Sequence, residues 1–328
     1  MTTILGGGDF EFSTGGDWGN LPTGWTLGEV AAVAVDADDN VYVFQRGEHP
    51  LIVFDRSGEF VRSWGEGVLM HPHGLHIAPD GTIFCTDDGD HSVRQYSPGG
   101  ELLLTIGDPG HPAAYQSQLP FNRCTHTAVT PNGDILVTDG YGNARVHRYA
   151  PDGRLIGGWG SPGSGPGEFN LPHNIVCDPD GWVYVADREN HRIQIFDSNG
   201  EYQTQWNNLH RPSGLHLAVQ GDRRVLYVGE VGPYLRSNVG WPNVGPRVSI
   251  LSGSGDLIGR LDSPVWDRLG PGAFVSPHGI ALDSHGDIYL ADVCFAGWPQ
   301  LFPGRDLPPE GLRGLHRLTK VTAAASVA

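Results

Sequence analysis

The sequence is short of positive charge, of sulfur and of long apolar runs. Only 21 Lys and Arg stand against 37 Asp and Glu among 328 residues, a formal net charge of −16. That surplus repels phosphate backbones, and the arginines are scattered rather than gathered into a patch, so nucleic-acid binding is not expected. No apolar stretch approaches the ~18 residues of a membrane-spanning helix, and no membrane association is expected. Residues 1–8 lack the basic segment and apolar run of a secretory signal. The four cysteines, Cys85, Cys124, Cys177 and Cys294, lie far apart with no CxxC spacing. Cys85, Cys177 and Cys294 sit in or at the end of strand-like runs, where a thiol behaves as a small buried hydrophobe. A cytoplasmic protein is the expectation.

Glycine (48) and proline (25) are abundant, about twice ordinary usage. Apolar residues make up 39% and charged residues only 18%, enough for a sizeable core. Many short strands joined by tight turns fit this composition, and a helical bundle does not. One pattern recurs along the chain. Pro72-His73-Gly74-Leu75 is followed by Asp80-Gly81-Thr82-Ile83-Phe84-Cys85-Thr86-Asp87. Similar copies follow at Thr125–Asp139, Pro172–Asp187 and Pro277–Asp292, with weaker ones at Val33–Phe44 and Pro212–Val228. Each of the first five holds four apolar runs split by Asp-Gly, Asn-Gly or Pro-Gly turns, the signature of successive hairpins.

Four-stranded units recurring roughly every 40–50 residues are the mark of propeller blades, so six copies predict an all-β, six-bladed β-propeller in a single domain. The expected blades are 29–65, 71–107, 121–160, 170–207, 211–262 and 275–322. The last supplies three strands, and segment 9–13, around Phe10-Glu11-Phe12-Ser13, is expected to close the ring as its fourth. Segments 111–121, 232–246 and 295–311 are expected to be loops on the rims.

Aligning the innermost strands puts Ala31, His73, Thr125, His173, Ser213 and His278 at one position. Histidine therefore occupies alternate blades, each roughly a third of the chain from the next. Three imidazoles converging on the ring axis make a His₃ metal site with open positions, as catalytic zinc prefers. Iron, cobalt or copper also suit imidazole ligands. His76, His126 and His216 lie one or three positions further on and point less favourably. The turn after the second strand opens on the same rim, which brings Tyr141, Arg46 and Arg188 toward the metal. Two arginines there suit a small-molecule substrate carrying a carboxylate, and a tyrosine suits proton transfer. The alternative for Asp187-Arg188-Glu189-Asn190 and for Arg145 is a salt-bridged turn between blades.

The repeats resemble NHL repeats. From about Trp18 to Val321 the chain is similar to the peptidyl-α-hydroxyglycine α-amidating lyase family. The likeness is carried by Phe44-Gln45-Arg46-Gly47-Glu48-His49, Pro72-His73-Gly74-Leu75, Asp139-Gly140-Tyr141-Gly142-Asn143-Ala144-Arg145, Pro172-His173, Ala186-Asp187-Arg188-Glu189-Asn190 and Pro277-His278. The resemblance implies a six-bladed propeller that cleaves a carbinolamide to an amide and glyoxylate. It implies zinc ligands at His73, His173 and His278, a catalytic tyrosine at Tyr141 and active-site arginines at Arg46 and Arg188.

Three positions depart from the family. Its structural calcium takes the carbonyls of Val33 and Leu75 plus an aspartate where this chain has Gly279, so calcium binding is expected to be weak or absent. Its disulfide beside the tyrosine lacks a cysteine, because Gly142 stands there, and Ser276 replaces a methionine near the metal. The copper monooxygenase domain that makes the hydroxyglycine substrate is not in this sequence. The expectation is a metal-dependent lyase on a small carbinolamide, hemiaminal or related α-hydroxy acid. The alternatives are a zinc hydratase or hydrolase using the same site, and a non-catalytic NHL scaffold.

Overall fold

Alternating apolar runs and turns fold as the repeat predicts. The computed structural model describes residues 2–16, 18–262, 272–308 and 311–321. Position 322, the expected end of the last blade, lies outside the described residues. Five four-stranded antiparallel sheets and one five-stranded sheet form six blades, each in the order inner to outer. The innermost strands are Glu29–Val35, Pro72–Ile77, His126–Val129, Pro172–Cys177, Pro212–Gln220 and Pro277–Leu282. Each contacts the next, and the sixth returns to the first, so the ring is closed.

Apolar side chains fill the space between neighbouring blades. Tyr42, Phe44 and Leu51 of the first blade pack with Leu75, Ile83 and Tyr96 of the second, and equivalent clusters recur around the ring. Burying each such side chain contributes roughly 1.5–3 kcal/mol, which is why blades that share faces hold the ring without disulfides. All four cysteines are free thiols.

Phe10–Thr14 closes the ring as expected, pairing Phe12 with Lys320 and Thr14 with Leu318. A further strand, Thr3–Gly7, adds outside it, with Leu5 buried against Phe10 and Leu261. The other difference lies in 295–311, expected as loop. It begins with a helix, Cys294–Leu301, whose buried Cys294, Trp298 and Leu301 share one face and pack on Val275 and Phe302. Glu29 accepts a hydrogen bond from the Ala296 N–H at 2.7 Å, tying the helix to the first blade. Among the described residues no helix is long and apolar enough to cross a membrane.

Candidate metal centre

A buried acidic or amide side chain at the end of each second strand fixes the chain that enters the innermost strand. Asp87 accepts from the N–H groups of Met70 and His71 at 2.5 and 2.9 Å, Asp187 from Asn170 at 2.7 Å, and Asp292 from Val275 and Ser276 at 2.8 and 2.6 Å. Gln45 takes this role in the first blade, accepting from Gly28 at 2.5 Å. These tethers lie two or three residues ahead of each expected metal ligand, so the histidines start from anchored backbone. A charge-assisted hydrogen bond of this kind contributes about 1.5–3 kcal/mol.

His73, His173 and His278 are 2%, 1% and 6% exposed, with ring centroids 4.6–4.8 Å apart. Among the described residues they are the group of three ligand side chains whose donor atoms all lie within 4.8 Å of one another. Each ring is aimed by its neighbour. The Nδ1–H of His73 donates to the Thr125 carbonyl at 2.6 Å, that of His173 to the Ser213 carbonyl at 2.9 Å, and that of His278 to the Ala31 carbonyl at 2.7 Å. Thr125, Ser213 and Ala31 occupy the same register position in the intervening blades. The six equivalent positions therefore alternate between imidazole and acceptor. With Nδ1 protonated, each Nε2 lone pair is left for a ligand, the tautomer that metal binding requires. Burial keeps the rings neutral: it lowers His73 to about 3, and His173 and His278 well below the usual histidine range. Three neutral imidazoles offering Nε2 fit a divalent transition metal.

Tyr141, from the turn after the second strand of blade 3, places its hydroxyl 3.0 Å from His73 Nε2 and 3.4 Å from His173 Nε2. Arg188 is buried, with its guanidinium carbon 5.6 Å from the centre of the Tyr141 ring. Its Nε donates to Glu189 at 2.8 Å, the one side-chain bond it makes among the described residues, which leaves its terminal nitrogens unengaged. Arg211 donates to the same carboxylate at 3.1 and 2.8 Å and lies over the Tyr234 ring at 3.4 Å. Burial would raise the Glu189 carboxyl, but the Arg211 hydrogen bond and the Arg188 charge pull it down to about 2. Arg46 donates to Glu29 at 2.9 Å and to the Pro72 carbonyl at 3.1 Å, and its charge opposes protonation of His73 and His278.

Charge accounting at the site follows from these pairs. Arg46 is neutralised by Glu29, whereas Arg188 and Arg211 share Glu189, leaving one surplus positive charge beside the histidines. The salt bridge between blades runs through Glu189, which pairs with Arg188 of its own turn and with Arg211 of the next blade. Asp187 accepts from Asn190 and from Arg192 within blade 4, and Arg145 donates to the Gly158 and Gly160 carbonyls of its own blade rather than to a carboxylate. Arg188 alone of that turn faces Tyr141.

The axial cavity, about 240 Å³, is lined by the three histidines together with His76, His126, His216 and Asn174. These further imidazoles do reach the channel wall, although they stand outside the ligand cluster. Val33 and Leu75 also line it, but among the described residues no Asp or Glu does. At Gly279 a Cβ would lie 2.8 Å from Ala32 Cα and 3.3 Å from Val33 N, so the innermost strand of blade 1 occupies the space an aspartate would need. The residues present do not fit calcium, a hard cation that is ordinarily held by carboxylates as well as carbonyls.

At Gly142 a Cβ would sit 2.6 Å from Asn122 Cβ. The tyrosine turn is held there by hydrogen bonds instead of a disulfide: Gly142 N–H to the Asn122 carbonyl at 2.8 Å, and Asn122 Nδ2 to the Ala113 carbonyl at 2.7 Å.

A six-bladed propeller with three buried imidazoles facing one point defines the class of this protein. The chain belongs to the NHL-repeat family. The NHL repeat matches residues 121–149 and 169–196. NHL repeat-containing protein 3 of Homo sapiens is 34% identical over 293 residues, which cover 84% of this chain and 80% of that protein. Peptidyl-alpha-hydroxyglycine alpha-amidating lyase 1 of Drosophila melanogaster is 28% identical over 323 residues, covering 81% of this chain and 56% of the relative. Peptidylglycine alpha-amidating monooxygenase of Rattus norvegicus is 28% identical over 324 residues, covering 87% of this chain but 31% of that protein. Among solved structures, a streptogramin B lyase superposes with a TM-score of 0.58 at 15% identity, covering 90% of this chain and 95% of that one, a likeness of fold alone.

Proposed function

We propose that the protein is a metal-dependent lyase that cleaves a small carbinolamide bearing one carboxylate, R–CO–NH–CH(OH)–COO⁻, to the amide and glyoxylate. The observation that carries this reading is the phenol of Tyr141 within 3.0 Å of a buried imidazole of the histidine cluster, with Arg188 beside it. A divalent ion held by the Nε2 atoms of His73, His173 and His278, zinc by ligand type, would supply Lewis acidity to a hydroxyl oxygen.

The chain's own residues do the rest. Arg188 offers two unengaged terminal nitrogens to the carboxylate, and Arg46, braced by Glu29, stands close enough to His73 and His278 for its charge to act on them. The single surplus positive charge suits a monocarboxylate. Tyr141 moves the proton. It takes the hydroxyl proton and returns one to the amide nitrogen, so the C–N bond breaks as the C=O bond forms and the atoms balance with no co-reactant. The relative named as an amidating lyase supports this chemistry without fixing the acyl group.

The test is incubation of zinc-loaded protein with an N-acyl-α-hydroxyglycine, reading glyoxylate and the amide by mass spectrometry. Glyoxylate with an unmodified amide supports lyase chemistry. Products heavier by one water would make it a hydrolase, and no turnover of any α-hydroxyglycine would reject the reading.

A further inference from the structure

Arg123 has no part in the site as the sequence describes it, yet it covers the tyrosine. Its guanidinium carbon lies 4.4 Å from the centre of the Tyr141 ring, closer than that of Arg188. The guanidinium is locked in place by Asp88, to which Nε and Nη2 donate at 3.1 and 2.6 Å. Asp88 is 1% exposed and takes a further hydrogen bond from His71 on its other oxygen. Burial would raise the Asp88 carboxyl, but the His71 hydrogen bond and the neighbouring Arg123 charge hold it below the usual carboxylate range. The carboxylate is therefore a fixed anchor.

The backbone reinforces the arrangement. Arg123 adopts a φ of +62°, in the left-handed region that non-glycine residues enter only when their surroundings enforce it. Its N–H donates to His91 Nδ1 at 3.1 Å, and its carbonyl accepts from the Tyr141 N–H at 3.5 Å. One residue thus touches Tyr141 twice, by ring and by main chain, in a turn that carries glycine at position 142 and no disulfide.

We propose that Arg123, anchored by Asp88, is a positioning residue that holds the Tyr141 phenol against the histidine cluster. This rests on the lyase reading for its kinetic consequences, but the orientation of the ring can be read without turnover. A guanidinium stacked on a phenol limits ring rotation and leaves the hydroxyl directed at His73. Two of its nitrogens are committed to Asp88, so the guanidinium is held over the ring from the protein side.

The kinetic test compares wild type with R123M, Y141F and the double variant R123M/Y141F. R123M is expected to lower kcat on the order of tenfold or more with KM changed less than about threefold, and to have no further effect in the Y141F background. R123K is expected to rescue poorly, because lysine lacks the planar fork. A kcat within twofold of wild type, an equal loss in both backgrounds, or a tenfold rise in KM at constant kcat would each overturn the proposal. The structural test is fluorine NMR of 3-fluorotyrosine-labelled protein, with the Tyr141 signal assigned by its loss in Y141F. A single sharp signal in wild type that shifts or splits in both R123M and D88N supports the positioning role even if no α-hydroxyglycine turns over. A signal unchanged in both variants rejects it.

Discussion

Replacing Arg188 with methionine removes the guanidinium and leaves the surrounding fold supported. Glu189 keeps two hydrogen bonds from Arg211, at 3.1 and 2.8 Å, so the carboxylate is not orphaned. The surplus positive charge beside the histidines falls to zero, and two unengaged terminal nitrogens that would grip the substrate carboxylate are lost. Charged hydrogen bonds contribute about 1.5–3 kcal/mol each. Allowing for water that takes their place, the loss is about 3 kcal/mol, on the order of 100-fold in kcat/KM. Most of it should appear as raised KM, because the carboxylate is bound in ground and transition states alike. The assay is steady-state glyoxylate release, with metal content and melting temperature measured on the same preparation. R188K should recover part of the loss by restoring charge without the fork. A kcat/KM within about twofold of wild type, with metal and melting temperature unchanged, would refute the carboxylate role of Arg188.

Metal linkage gives a prediction that needs no substrate. Zinc at about 100 times its Kd should add about 2.7 kcal/mol, or roughly 4 °C in Tm for a chain of this length, while millimolar calcium should shift Tm by less than about 1 °C. Thermal melts with each ion check both statements. His126 is held neutral by burial, its pKa pushed down to about 3. The unfolded chain takes up that proton near pH 6.5, so stability is complete above this pH and falls by a few kcal/mol between 6.5 and 3. His73, His173 and His278 add to the same slope, so H126Q should make it shallower by about one proton in urea titrations, and an unchanged slope would count against it. G142A should lower stability by about 1–3 kcal/mol, because its Cβ would collide with the Asn122 side chain. Urea melts of G142A alone and combined with N122G, which opens that space, would show the clash and its relief.

The fold was legible because its period is written in turn dipeptides and in short β-branched and aromatic runs that survive the reading of one copy against another. The histidines were legible for the same reason, since register converts sequence spacing into angular position on the ring. What aims them was not. Thr125, Ser213 and Ala31 act through backbone carbonyls, which leave no trace in side-chain identity, so an alternation of imidazole and acceptor reads as histidine and nothing. Arg123 and Asp88 sit on different blades and meet only in space. Thr3–Gly7 is masked by glycines at positions 6 and 7 that weaken its strand pattern. The helix at Cys294–Leu301 contains Gly297 and Pro299, which argue against helix locally, and it forms because Trp298 and Leu301 bury against Val275 and Phe302.

The account turns on whether three imidazoles from alternate blades hold an ion. Elemental analysis of protein equilibrated with zinc and then freed of unbound metal, beside the H73A/H173A/H278A variant, measures this directly. About one zinc per chain in wild type and none in the folded variant is the predicted result. Equal metal in both proteins, or none in wild type, would contradict it.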